Sequence, residues 1–120
     1  MSTLKISKLQ MLATKFEIIK MHENQTFSSF YSKLSDIENS SFNLGDLISD
    51  SKVVRKILRS LPERFKPKVI VIESKDINSM RVDELVGSIQ TYEMILHSSQ
   101  KPKDSTFKAF EDEVKDNEIP

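Results

Sequence analysis

At 120 residues the chain is the size of one domain, and eighteen cations set against eighteen anions leave a formal net charge of zero, which argues against a nonspecific polyanion binder driven by a basic excess. With no cysteine, disulfide frameworks, zinc knuckles, iron–sulfur ligation and cysteine nucleophiles are excluded within this chain. Charged residues at 30%, hydrophobic residues at 38%, two glycines and no tryptophan fit a helical protein better than a barrel or a fibre.

Apolar residues at Leu9, Leu12, Ala13, Phe16 and Ile19 follow the three-and-four spacing of one helix face, which predicts a first helix over Lys5 to Met21. The polar cluster HENQT interrupts it, and Thr26 is the expected N-cap of a second helix carrying Phe27, Phe30, Tyr31, Leu34 and Ile37. That helix is expected to end within ENSSFNLGD, where Gly45 can take a positive φ. Ser49, Asp50 and Ser51 compete to cap a third helix with Val53, Val54, Ile57, Leu58 and Leu61 along one side, closed by Pro62.

Pro62 also suits the first position of a helix, so a fourth is expected over Pro62 to Ser74. By pattern alone the β-branched run Val69 to Ile72 reads equally well as a buried strand, and Pro67 falls inside the proposed helix. Ser79 is the expected cap of a last helix running to about His97, with Val82, Leu85, Val86, Ile89, Tyr92 and Leu96 on one face. The helical domain is thus expected over residues 1–98. Residues 99–120 read as a flexible acidic tail, because sparse apolar positions cannot offset the entropy of ordering. Phe107, Phe110 and Val114 keep helical spacing there, which leaves room for a short helix that docks on the body or on a partner.

Chemistry is hard to find. His22 and His97 stand far apart at predicted helix ends with no orienting neighbour. Ser88 follows a lone glycine inside a helix pattern and is no nucleophile elbow. Glu111, Asp112 and Glu113 read as a solvated charge run rather than a metal cage. No catalytic, cofactor-binding or metal residue is assigned, and neither a cofactor nor a small-molecule substrate is expected. No run approaches the roughly 20 apolar residues of a membrane span, and MSTLKISKLQ lacks the pattern of a secretion signal. The expected location is therefore intracellular, and the sequons at Asn24 and Asn39 are expected to be chance matches.

The strongest candidate surface is the basic segment Lys52, Arg55, Lys56, Arg59, Arg64, Lys66 and Lys68, opposed only by Glu63. On a helix Lys52, Arg55, Lys56 and Arg59 share the face away from the apolar stripe, where they solubilise the protein or contact RNA phosphates. No aromatic residues alternate with them to stack on bases. Lys5, Lys8, Lys15 and Lys20 likewise oppose the first stripe, a pattern that fits a bundle wall better than a membrane-surface helix.

The succession KFEIIKMHENQTFSSFYSKLSDIENSSFNLG, VVRKILRSLPERF and KDINSMRVDELVGSIQTYEM resembles the gag polyprotein of copia-type long-terminal-repeat retrotransposons over about residues 4–97. The resemblance implies an all-α, retroviral-capsid-like bundle of about five helices that self-associates and packages element RNA into a cytoplasmic virus-like particle, and it favours a helix over Pro62 to Ser74. Gln25 to Leu34 looks like a degenerate major homology region, with Phe27, Phe30 and Leu34 at its apolar positions and Lys33 at its basic one, but without the usual Gln-Gly pair. Against the family pattern, the expectation is that most of an N-terminal capsid lobe, a Cys-Cys-His-Cys knuckle and a protease motif are lacking, as in an excised fragment or a host-retained relic.

The function expected on this basis is structural self-assembly into homo-oligomers, with Phe42, Leu47, Ile48, Met80 and Met94 as surplus apolar candidates for the contact. The competing expectations are RNA binding through residues 52–68 and a domesticated adaptor that holds host peptides in a helical groove.

Overall fold

Residues 2–100 are described by a computed structural model. Helix α1 spans Thr3–Ile18, α2 Phe27–Asn43, α3 Asp50–Ser60, α4 Lys66–Glu73 and α5 Val82–Gln100, with short 3-10 turns at Glu63–Phe65 and Ile77–Ser79. No strand occurs among the described residues. Met1 and residues 101–120, including Phe107, Phe110, Val114 and the Glu111–Glu113 run, lie outside them.

Side chains cap three of the helices. The Ser2 hydroxyl accepts from the Lys5 N–H at 3.1 Å, Thr26 from Ser29 at 3.1 Å and Ser49 from Lys52 at 3.3 Å, each satisfying a donor that the first helical turn leaves unpaired. At the end of α2, Gly45 has φ +90°. Its N–H donates to the Phe42 carbonyl, and that of Asp46 to the Ser41 carbonyl, both at 2.9 Å. This double closure is the Schellman arrangement, which requires the left-handed backbone that glycine takes without a Cβ penalty.

Helix α1 begins at Thr3, two residues before the expected Lys5, and four further boundaries differ from expectation. Helix α1 stops at Ile18 instead of Met21 because Ile19 turns extended and Met21 enters the core, its N–H donating to the Ser60 carbonyl at 3.0 Å. Pro62 does not begin a helix; a 3-10 turn follows it, and Pro67 stands in the first turn of α4, where a missing N–H leaves nothing unpaired. Ser79 does not cap α5, since its hydroxyl is held by the Asp76 carboxylate at 2.8 Å. The start of α5 at Val82 is set instead by Arg81, whose N–H faces the Glu84 carboxylate at 3.4 Å. Finally, α5 continues through Gln100, past the expected limit near His97.

Val69 to Ile72 is helical, which decides between the two patterns its β-branched run allowed. Ile72 alone of the four is buried, while Ile70 and Val71 face outward.

One core serves all five helices. Leu12 and Phe16 of α1, Phe27, Phe30, Leu34 and Ile37 of α2, and Val53, Val54, Ile57 and Leu58 of α3 are buried together with Phe65, Ile72, Leu85 and Ile89. Helix α1 packs on α2, and α3 on α5 and the Ile77–Ser79 turn. Phe27 and Tyr31 stack at 5.9 Å, and Phe65 meets Tyr92 at 6.0 Å. The Phe27 N–H, at the positive end of α2, donates to the Glu93 carboxylate at 2.8 Å and so ties α2 to α5.

Candidate functional site

Phe27, Phe30 and Leu34 are fully buried and make up much of the inner face of α2, whereas Lys33 is exposed beside them. The three apolar residues therefore serve the core, while Lys33, Ser28, Ser29 and Ser32 form the exposed side of the same segment.

The basic segment does not form one face. Val53, Val54, Lys56, Ile57, Leu58 and Ser60 are all buried, an arc of roughly 200° at about 100° per residue. Lys56 falls at the edge of that arc. It is 7% exposed, and its Nζ donates to the Glu17 carbonyl at 2.6 Å, near the end of α1. Burial, joined by the nearby Arg59, pushes the Lys56 ammonium below its ordinary pKa, with Glu17 opposing. Arg64 is also committed, donating to the Gln25 carbonyl at 2.9 Å and pairing with the Glu23 carboxylate at 3.4 Å. Lys56 is thus buried against α1 and Arg64 is bonded to the Glu23–Gln25 segment, apart from the open cations of α3. Lys52, Arg55, Arg59 and Lys66 are exposed and Lys68 half-exposed, and none forms an ion pair among the described residues. Arg55 donates to the Asn78 amide oxygen, and the Lys52 ammonium lies 5.4 Å from the centre of the Phe16 ring.

The apolar candidates also divide. Phe42, Leu47 and Met94 are exposed, whereas Ile48 and Met80 are partly buried and pack against the core. A further exposed apolar set lies elsewhere. On α1, Leu4, Met11 and Ile18 are 66%, 53% and 70% exposed. Seven-residue spacing places all three on one side of the helix, away from Leu12 and Phe16. The signal was present in the sequence; the denser core stripe of the same helix obscured it.

Two grooves flank the chain between α1 and α2. One is lined by Lys15, Ile18, Ile19, Lys20, His22, Gln25, Lys33 and Ile37 and contains no carboxylate. The other includes Glu23, Gln25, Arg64, Glu93, His97 and Ser98. His22 and His97 thus line different grooves. Among the described residues no group of three His, Asp or Glu side chains is placed to hold a metal.

The described residues thus form a helical bundle with exposed apolar and cationic positions. The family model for the gag polypeptide of copia-type LTR elements matches residues 2–106. The chain belongs to that family and has a gag-related structural role. No curated protein and no solved structure matches it. No helix among the described residues is long and apolar enough to cross a membrane.

Proposed function

We propose that this chain is a self-assembly domain of a gag polypeptide, forming homo-oligomers that build a virus-like particle in the cytoplasm. The observation that carries the reading is the exposed seven-residue stripe Leu4, Met11 and Ile18 on α1, which pairs with the same stripe of a second copy about a two-fold axis. Burying about 400 Å² of apolar surface in such a pair supplies roughly 10 kcal/mol at about 25 cal/mol per Å². Lost translational and rotational freedom offsets much of that. The expected pair is weak alone and effective when repeated over a lattice. Phe42, Leu47 and Met94 are further exposed apolar positions available to lattice contacts.

A second role, packaging of RNA, is supported by the unpaired exposed cations Lys52, Arg55 and Arg59 of α3, with Lys66 and Lys68 beyond them. Three phosphate contacts on single-stranded RNA give a salt slope near −2.1, so RNA affinity falls about 20-fold between 50 and 200 mM salt.

Light scattering over a concentration series, with and without RNA at both salt levels, tests the two roles together. Mass should rise with protein concentration without RNA, and RNA should bind only at low salt. A mass fixed at the monomer removes self-assembly, and salt-independent RNA binding removes phosphate contact as its basis.

A further inference from the structure

The groove between the end of α1 and α2, about 410 Å³ in volume, is lined by the exposed lysines Lys15, Lys20 and Lys33 over an apolar floor of Ile19 and Ile37, with exposed Ile18 at its edge. None of the three lysines has an ion-pair partner among the described residues. Such a groove is complementary to an extended or helical segment that offers apolar side chains alternating with carboxylates, and it rejects cationic ones.

The chain itself contains that chemistry. Between Phe107 and Glu118 five carboxylates stand against two lysines, with Phe107, Phe110 and Val114 at spacings of three and four. The route to the groove is also present. Helix α5 brings His97 and Ser98 into the neighbouring groove beside Gln25, and Gln25 lines both grooves. Gln25 is fixed as a saddle between them, accepting from the His22 N–H at 3.0 Å and donating to the Ser29 hydroxyl at 3.3 Å. Residues 101–106 add up to about 20 Å of reach beyond Gln100. Their Lys101 and Lys103 match the carboxylates of Glu23 and Glu93 that line the first groove.

We propose that the acidic segment Phe107–Glu118 of the same chain docks in the Lys15–Lys20–Lys33 groove. The apolar floor receives Phe107 or Phe110, and Glu111, Asp112 and Glu113 face the lysines. Docking covers Ile18, the last residue of the exposed α1 stripe, so the segment competes with any partner that needs that end of α1.

The full chain, which has no native cysteine, can carry one nitroxide at Ser105→Cys for paramagnetic NMR. Amides of Ile18, Ile19, Lys20, Lys33 and Ile37 should broaden at low protein concentration. The broadening should fall to background at about 0.5 M salt, where the Debye length is only a few Å. It should also be lost in Lys20→Glu/Lys33→Glu, and return when that variant also carries Glu111→Lys and Glu113→Lys. Both lysines are exposed, and recovery on double reversal excludes misfolding as the cause of the loss. Unbroadened groove amides, or broadening that survives charge reversal, overturns the proposal. So does broadening seen only when tag and isotope label sit on different copies, which assigns the groove to a partner's segment. A Leu4→Lys background, monomeric under the assembly reading, should retain the broadening, so the two readings fail separately.

Discussion

Lys56 shows how a single side chain departs from its helix. By sequence it belongs with Lys52, Arg55 and Arg59, because the apolar stripe of an average surface helix leaves more than half the circumference to water. Helix α3 is central instead, and burial of Ser60 and Val53 on the same side widens its dry arc until it takes in Lys56. That widening depends on where α1 ends and is not readable from local periodicity. A pH prediction follows from the depressed Lys56 pKa. Between that lowered value and the ordinary 10.5, the unfolded chain binds more protons, so this group's contribution to stability rises with pH and is lost as pH falls through the folded pKa. Lys56→Met removes the buried ammonium. At neutral pH it should match or exceed the parent in stability, by up to about 1 kcal/mol, and the difference should shrink as pH approaches 10.5 in urea denaturation. A large loss of stability at neutral pH would mean that the contact with the Glu17 carbonyl outweighs the cost of burial.

Among the elements, helix starts were legible where a hydroxyl stood immediately before an apolar stripe, as at Thr26 and Ser49. They were misread where a second polar partner competed. Ser79 has the right residue type, but Asp76 claims its hydroxyl, and the helix begins at Val82 rather than at Met80. Proline was ambiguous in the same way: Pro62 and Pro67 both suit a first turn, and only the second occupies one. The helical state of Val69–Ile72 was not decidable from β-branching, because a short apolar run satisfies both periods; the copia-type resemblance pointed to the correct one.

The α2 terminus is a sharper case. Gly45→Ala must place a Cβ on a φ of +90°, at a cost of about 1–2 kcal/mol. The nearest outside atom is the Lys5 Nζ at 3.7 Å, so crowding adds little. Thermal denaturation should show a lower midpoint for Gly45→Ala and a partial recovery for Gly45→Asn, since asparagine tolerates the left-handed region better. Equal midpoints for alanine and glycine would contradict the role assigned to the Schellman closure.

At the level of the whole molecule, core and surface were legible to different degrees. The five stripes fold against one another as their spacing requires, because burial of apolar area rewards any arrangement that hides all of them. Surface function has no equivalent constraint. Ile48 and Met80 looked surplus only because their stripes are short, and both pack inward, while Leu4, Met11 and Ile18 repeat at seven residues and remain in water. A net charge of zero likewise conceals a division into a carboxylate-free groove between α1 and α2 and an unpaired cationic stripe on α3.

Self-assembly as proposed makes the outer stripe of α1 the seam between copies. Sedimentation equilibrium of the parent chain beside Leu4→Lys/Met11→Lys tests it most directly, since both residues are exposed and their replacement leaves folding stability within about 0.5 kcal/mol. The parent should move from monomer toward dimer as concentration rises, while the double variant stays monomeric with an unchanged melting curve. Identical association by the two chains would contradict it.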